Sequence, residues 1–378
     1  MIEKYYSGVI EQIYNRIGKE TRNIVMANYS NDFSIENLEV IRRYQSNEDN
    51  VFFAYSEFSY NTLVGAYEPF LDIICNMHRR FIGGSFDDFQ KECGVYYLHR
   101  QVLNSYYETG ECFREETVLL NEVAYEQRRM TMAIADMLKK LSEVKPLMIV
   151  INRFQMASKS SIETIKYLID NPCANIGIVL GVNAIVKGTD STVEMWDRIV
   201  ESLEDRSAIY YIGSAGPLKN NVKTTNDDEL YITMNFEQSI QEASNIMEFL
   251  DFEQARRGCR IIEHKLKFED AWIDEKSMRR FYMVYARTSV LLGEMSKAIE
   301  LTNEYKALIP ENDSEHYLSL YYFMKGTCYM YQGKLEKAGN SAKSAYDYAV
   351  LAEDDTLIFK AELLSVMIKM SGWYNIFF

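Results

Sequence analysis

The residues LMIVIN (147–152) form an apolar, β-branched run that ends on Asn152, followed by Arg153 and Gln155. Phosphoryl-transfer sites use such a strand end to present carboxylates that hold Mg²⁺ and polarise the attacking group. Here an amide and a guanidinium stand in those places. The companion feature is a loop whose glycine N–H groups wrap the phosphates, with a lysine for the β- and γ-phosphates and a Ser or Thr for the metal. The candidate loop follows NIVMAN (23–28) and reads Tyr29, Ser30, Asn31, Asp32, Phe33, Ser34. It has neither glycine nor lysine. Tyr29 and Phe33 are bulky, and Asp32 is an anion where anionic phosphates would sit. A helix N-terminus at Ser34 attracts anions generically, but Asp32 is placed to satisfy the same amides.

Other chemistry is weaker. GKET (18–21) resembles the end of a phosphate loop but precedes the first strand. IGGSFDDF (82–89) reads as a helix-to-helix turn with an N-cap. Cys75 and His78 have the spacing of half a zinc site, with no second pair nearby. The plain reading is a core thiol and a surface histidine. No Ser, His and Asp trio sits in a nucleophile-elbow context. Neither a metal nor a cofactor is expected. The 28 tyrosines lack basic interleaving and read as helix packing rather than a base-stacking platform.

The elements that would position these residues alternate. Five apolar runs, NIVMAN (23–28), VFFAYSEF (51–58), LMIVIN (147–152), IGIVLGVN (176–183) and AIYYIG (208–213), suit strands buried on both faces of a parallel sheet. SIENLEVIRRY, with Ser34 as its N-cap, and SSIETIKYLIDN read as helices. About 85 residues of helical pattern separate the second and third strands. The order predicts a five-stranded α/β sheet with right-handed crossovers and a helical insertion. A Gly-, Pro-, Asn- and Asp-rich stretch (213–229) reads as a loop. The domains expected are 1–215, a linker at 216–232, and an all-helical region at 233–378.

That last region repeats. Gly293, Gly333 and Gly372 are spaced 40 and 39 residues apart, and Ala298 and Ala338 each follow their glycine by five. Seven residues before each glycine is a small residue, Ala286, Gly326 or Ser365, with a weaker earlier copy at Ala243 and Ala255. Small residues let paired helices close, and glycine turns the chain between them. The pattern resembles the tetratricopeptide repeat, with a period longer than the usual length of about 34. A solenoid needs a polar cap on its last helix. WYNIFF is apolar, so the expectation is a solenoid truncated at its C-terminus, with an output domain beyond it.

The first half resembles the AAA-like ATPase module of the STAND class, in the branch that joins it to tetratricopeptide repeats in bacterial signalling and transcriptional-regulator proteins. VFFAYSEFSYNTLVGAYEPFLDII resembles the second strand and its Tyr–Pro–Phe turn. PLMIVINRFQMASKSSIETIKYLID resembles the Walker B strand and following helix, and NIGIVLGVN the sensor strand. On this resemblance the two acidic Walker B positions fall on Asn152 and Arg153, the following histidine on Gln155, and the arginine after the sensor strand on Ala184. The P-loop-NTPase-like fold is kept and the catalyst removed, so the resemblance implies a pseudo-ATPase.

The expected function is a catalytically inactive sensor or scaffold, not an enzyme. A protein or peptide partner would be held by a groove of Arg279, Arg280, Tyr282, Arg287, Tyr322, Lys325 and Tyr329, with Tyr285 a further candidate. The output implied by the resemblance is DNA-binding or cyclase-type. Alternatives left open are an active NTPase with non-standard residues and a passive repeat adaptor. The net charge of −14 argues against gripping nucleic acid through this region. The longest apolar run, of 11 residues, is too short for a membrane span. Six scattered cysteines without CxxC suit reduced thiols in the cytoplasm. An oligomer is compatible with all of this.

Overall fold

A computed structural model describes residues 2–377 apart from 30–38, 47–49, 59–62, 113–121, 184–185, 189, 206–208, 213–221, 225–234, 269–272 and 313. Two compact units are present: Met1–Arg114 with Ala124–Met234, and Glu115–Val123 with Asn235–Phe378. The first is α/β and the second all-α.

In the first unit, α1 (Ile2–Arg16), β1 (Ile24–Tyr29), α2 (Glu39–Ser46) and β2 (Phe52–Glu57) are followed by the helical insertion α3 (Phe70–Met77), α4 (Phe86–Glu92), α5 (Tyr97–Thr109) and α6 (Val123–Val144). Then come β3 (Leu147–Asn152), α7 (Lys159–Asp170), β4 (Ile176–Asn183), β5 (Val186–Gly188), α8 (Asp190–Glu204), β6 (Ile209–Ile212) and β7 (Val222–Thr224). A parallel sheet runs in the order β2, β3, β4, β1. Its register pairs Phe52 with Leu147, Ile149 with Ile178 and Ile24 with Ile178. On the far side, Ile209–Ile212 of β6 lies beside Met26–Tyr29 of β1. β5 and β7 pair with each other, which puts a short strand inside the stretch expected to be a linker. The β3 residues Leu147 to Asn152 are all fully buried, as a strand covered on both faces requires.

α1 packs on β4, β1, β6 and α2. It can do so because β4 has glycine at two positions of one face. A Cβ on Gly177 would lie 2.8–2.9 Å from Ile17 and Ile13, and one on Gly181 would lie 2.2 Å from Tyr6 Oη. Tyr6, Ile10 and Ile13 are fully buried in consequence. Right-handed crossovers place α7 on the opposite face, where it packs on α8.

The insertion has its own aromatic centre. A π-helical turn, His78–Ile82, continues α3. His78 is fully buried, not on the surface as the sequence suggested, with Phe86, Phe89 and Tyr107 ring centroids 5.0–5.4 Å away. Its Nδ1 is 3.1 Å from Tyr107 Oη.

The second unit contains α9 (Phe236–Glu248), α10 (Phe252–Phe268), α11 (Glu275–Leu291), α12 (Met295–Ala307), α13 (Ser314–Tyr331), α14 (Leu335–Leu351) and α15 (Asp355–Phe377). Consecutive helices pack on each other, and α9, α11, α13 and α15 pack in succession. Gly293 and Gly333 turn the chain with φ of 78° and 71°. Leu250 and Glu353 make the same turn with positive φ. All four turns close the same pair of hydrogen bonds, for example Gly293 N–H to Val290 O and Glu294 N–H to Ser289 O. The small residues behave as read: Ala286, Ala298 and Ala338 are buried, and a Cβ on Gly326 would lie 3.0 Å from Leu364. Gly372 is a correction, because it lies inside α15 and turns nothing. A helix interior tolerates one glycine at a cost of about 1 kcal/mol.

Two measurements follow from this packing. Gly181→Ala is expected to destabilise the α/β unit by about 1–3 kcal/mol in chemical denaturation, because Tyr6 must move; adding Tyr6→Phe should return part of the loss. Burial, then Arg79, hold the His78 pKa below its ordinary value. The folded chain therefore favours neutral His78. That contribution is full above the unfolded pKa of about 6.5 and is lost as pH falls below it. Acid melts of the parent should lose stability in that range more steeply than those of His78→Phe.

Candidate functional site

In an open parallel sheet the binding edge is at the carboxyl ends of the strands. β2 and β3 bring three of the relevant residues to that edge. Glu57 pairs with Asn152 in register, and Arg153 follows. Asn152 is fully buried and lies on the face that α1 covers; its Oδ1 would be 3.0 Å from a Cβ on Gly181, the point that Tyr6 Oη also crowds. The same Oδ1 accepts a hydrogen bond from Arg153 N–H at 3.0 Å. Gln155 lies in a short 3₁₀ turn and is 2 % exposed.

Arg153 takes a left-handed backbone, φ 54° and ψ 39°. Its Nη2 lies 3.3 Å from Glu57 Oε1, and its Nη1 donates to Phe58 O at 3.5 Å. Glu57 Oε2 accepts from Tyr55 Oη at 2.5 Å. Among the described residues at the ends of β2 and β3 the carboxylate is Glu57, and the Arg153 guanidinium is already on it.

The start of α7 is equally engaged. Ser158 caps the helix by accepting from Ser161 N–H, and its hydroxyl is 3.0 Å from both the Ser160 and Ser161 hydroxyls. Ser161 Oγ donates to Glu68 O at 2.7 Å, and Tyr67 N–H donates to Ser160 Oγ at 3.0 Å. The Tyr67–Glu68 turn is thus bonded to the N-terminus of α7. Glu68 is itself half-buried, and desolvation raises its pKa.

The magnesium and nucleotide that an intact site of this kind would hold do not fit the described residues of this edge. Magnesium at a nucleotide is held through one or two carboxylates, with water and the substrate phosphates. Asn152 offers a buried amide oxygen already in use, and Arg153 brings a fixed positive charge. The other half of the candidate site, Ser30, Asn31, Asp32, Phe33 and Ser34, lies outside the described residues, as do the side chain of Tyr29 and the whole of Ala184. Among the described residues no group of three or more His, Cys, Asp or Glu could hold a metal ion. Cys75 is a buried thiol, pushed up to about 12 by desolvation. No described helix is long and apolar enough to cross a membrane.

The groove candidates divide. Arg280 is exposed, while Tyr285 is core at 3 % exposure. Arg287 is paired with the buried Glu248 at 2.8 Å. Arg279 donates to Leu308 O at 2.9 Å and lies over the Tyr317 ring, and Lys325 donates to Tyr321 Oη at 2.8 Å. Tyr322 stacks on Tyr348 with centroids 5.6 Å apart, and Tyr329 lies under Lys337. Tyr282 is half-buried.

Sequence reasoning missed Glu57, Tyr55 and Tyr6. Glu57 carried a signal, an acid ending the second strand. Tyr6 carried none beyond the apolar spacing of α1. No protein-family model matches the chain, and no curated protein or solved structure matches it.

Proposed function

We propose that this chain is a scaffold: a P-loop-NTPase-like domain of the STAND type with a degenerate nucleotide site, joined to a tetratricopeptide-like solenoid that binds a protein or peptide in the cytoplasm of a signalling system. The observation that carries the reading is the state of the β3 strand end. Asn152 is buried beneath α1 and Arg153 is held by Glu57. A site that hydrolyses nucleotide needs a metal and a positioned water there. The stack of helix pairs with small residues at their contacts supports the solenoid, since such stacks present one face to partners.

Calorimetry of the whole chain with Mg–ATP and Mg–GTP should show no specific binding. A dissociation constant tighter than about 100 µM, near −5.5 kcal/mol, would sink this reading in favour of an active NTPase. Asn152→Asp with Arg153→Asp should stay inactive in phosphate release.

The groove is tested at the residues that project. Arg287→Glu would set two carboxylates together and confound folding with binding, so Arg280→Glu with Tyr282→Ala is the better probe. The folded variant should lose partners that the parent retains in pull-downs. Unchanged affinity for every partner would move the binding surface off this face.

A further inference from the structure

The left-handed backbone region is entered by glycine, asparagine and aspartate more readily than by arginine. Arg153 is there all the same, with φ 54°. Its backbone N–H is on Asn152 Oδ1, and its side chain is engaged as well. The guanidinium is 3.3 Å from Glu57, and the two side chains are 22 % and 17 % exposed, so the pair is partly withdrawn from water. A carboxylate in that setting needs a counter-charge. Tyr55 Oη supplies a hydrogen bond to Glu57 but no charge.

We propose that the Arg153 guanidinium is an internal cation standing in place of a divalent metal ion at this edge, with Glu57 as the ligand it neutralises. The Glu57 carboxylate then keeps a counter-charge without metal or nucleotide. The comparison with a metal rests on the reading of this edge as a degenerate nucleotide site, whereas the pairing stands on its own geometry.

The experiment is a set of thermal melts on the whole chain. Arg153→Gly relieves the backbone but removes the cation. It should lower the melting temperature by about 2–4 °C, and Glu57→Gln in the same chain should recover at least half of the drop. A melting temperature at or above the parent's, or no recovery, overturns the proposal. Should Arg153→Gly fail to fold, folding of Glu57→Gln/Arg153→Gly supports the proposal and failure of both overturns it. Arg153→Asp places a second carboxylate beside Glu57. In chelator it should melt below Arg153→Gly, and millimolar manganese(II) should raise it while leaving the parent unchanged. Indifference to manganese overturns the metal comparison. Nucleotide binding by the parent would sink the degenerate-site reading alone. A failed cycle in a parent that ignores Mg–ATP sinks this proposal alone.

Discussion

The approach of α1 to β4 is the constraint on which the α/β unit depends. Gly177 and Gly181 lie four residues apart on one face of the strand, and each opens room for side chains of the helix and its C-terminal turn: Ile13 and Ile17 at the first, Tyr6 at the second. The same helix thereby seals the neighbouring strand end. A carboxylate at position 152 would lose its water there, at a cost of several kcal/mol. An amide meets the burial differently, because it carries no charge and its oxygen takes the Arg153 N–H. The amide at 152 and the covering helix belong to one solution.

The described polar groups at the carboxyl ends of β2 and β3 and at the start of α7 are engaged within the chain. Glu57 is shared between Tyr55 and Arg153, and the hydroxyls at the start of α7 are tied to one another and to the 67–68 turn. These groups sit at a sheet edge that other parallel folds leave open for a ligand. Here their hydrogen bonds hold secondary elements together, so a ligand would have to break them before making its own.

The helical unit is organised by a different rule. Its helices meet at Ala286, Ala298, Gly326 and Ala338, where almost no side chain intervenes. Charges then tie one pair to another: Arg256 to Glu294, Arg287 to Glu248 and Lys297 to Glu263. Basic residues that look available for a partner in one dimension are in part the fastening between helices. Partly buried, such pairs resist removal of one member more than they add to stability.

The sequence by itself determined the runs 147–152 and 176–183 as strands, because a parallel strand covered on both faces must be continuously apolar. It also determined the turns at Gly293 and Gly333, because a left-handed turn favours glycine, and the absence of acid at 152 and 153. Turns at Leu250 and Glu353 were not legible, since hydrogen bonding and packing hold ordinary residues in the same conformation. Gly372 misled for the opposite reason, as an α-helix runs through it. Only the tertiary structure decided that Glu57 meets Arg153, that Tyr6 covers the end of β3, and that Arg287 faces Glu248. Periodicity reports which face of an element is buried. Which distant charges meet depends on strand register and helix stacking, and those are set by the whole core.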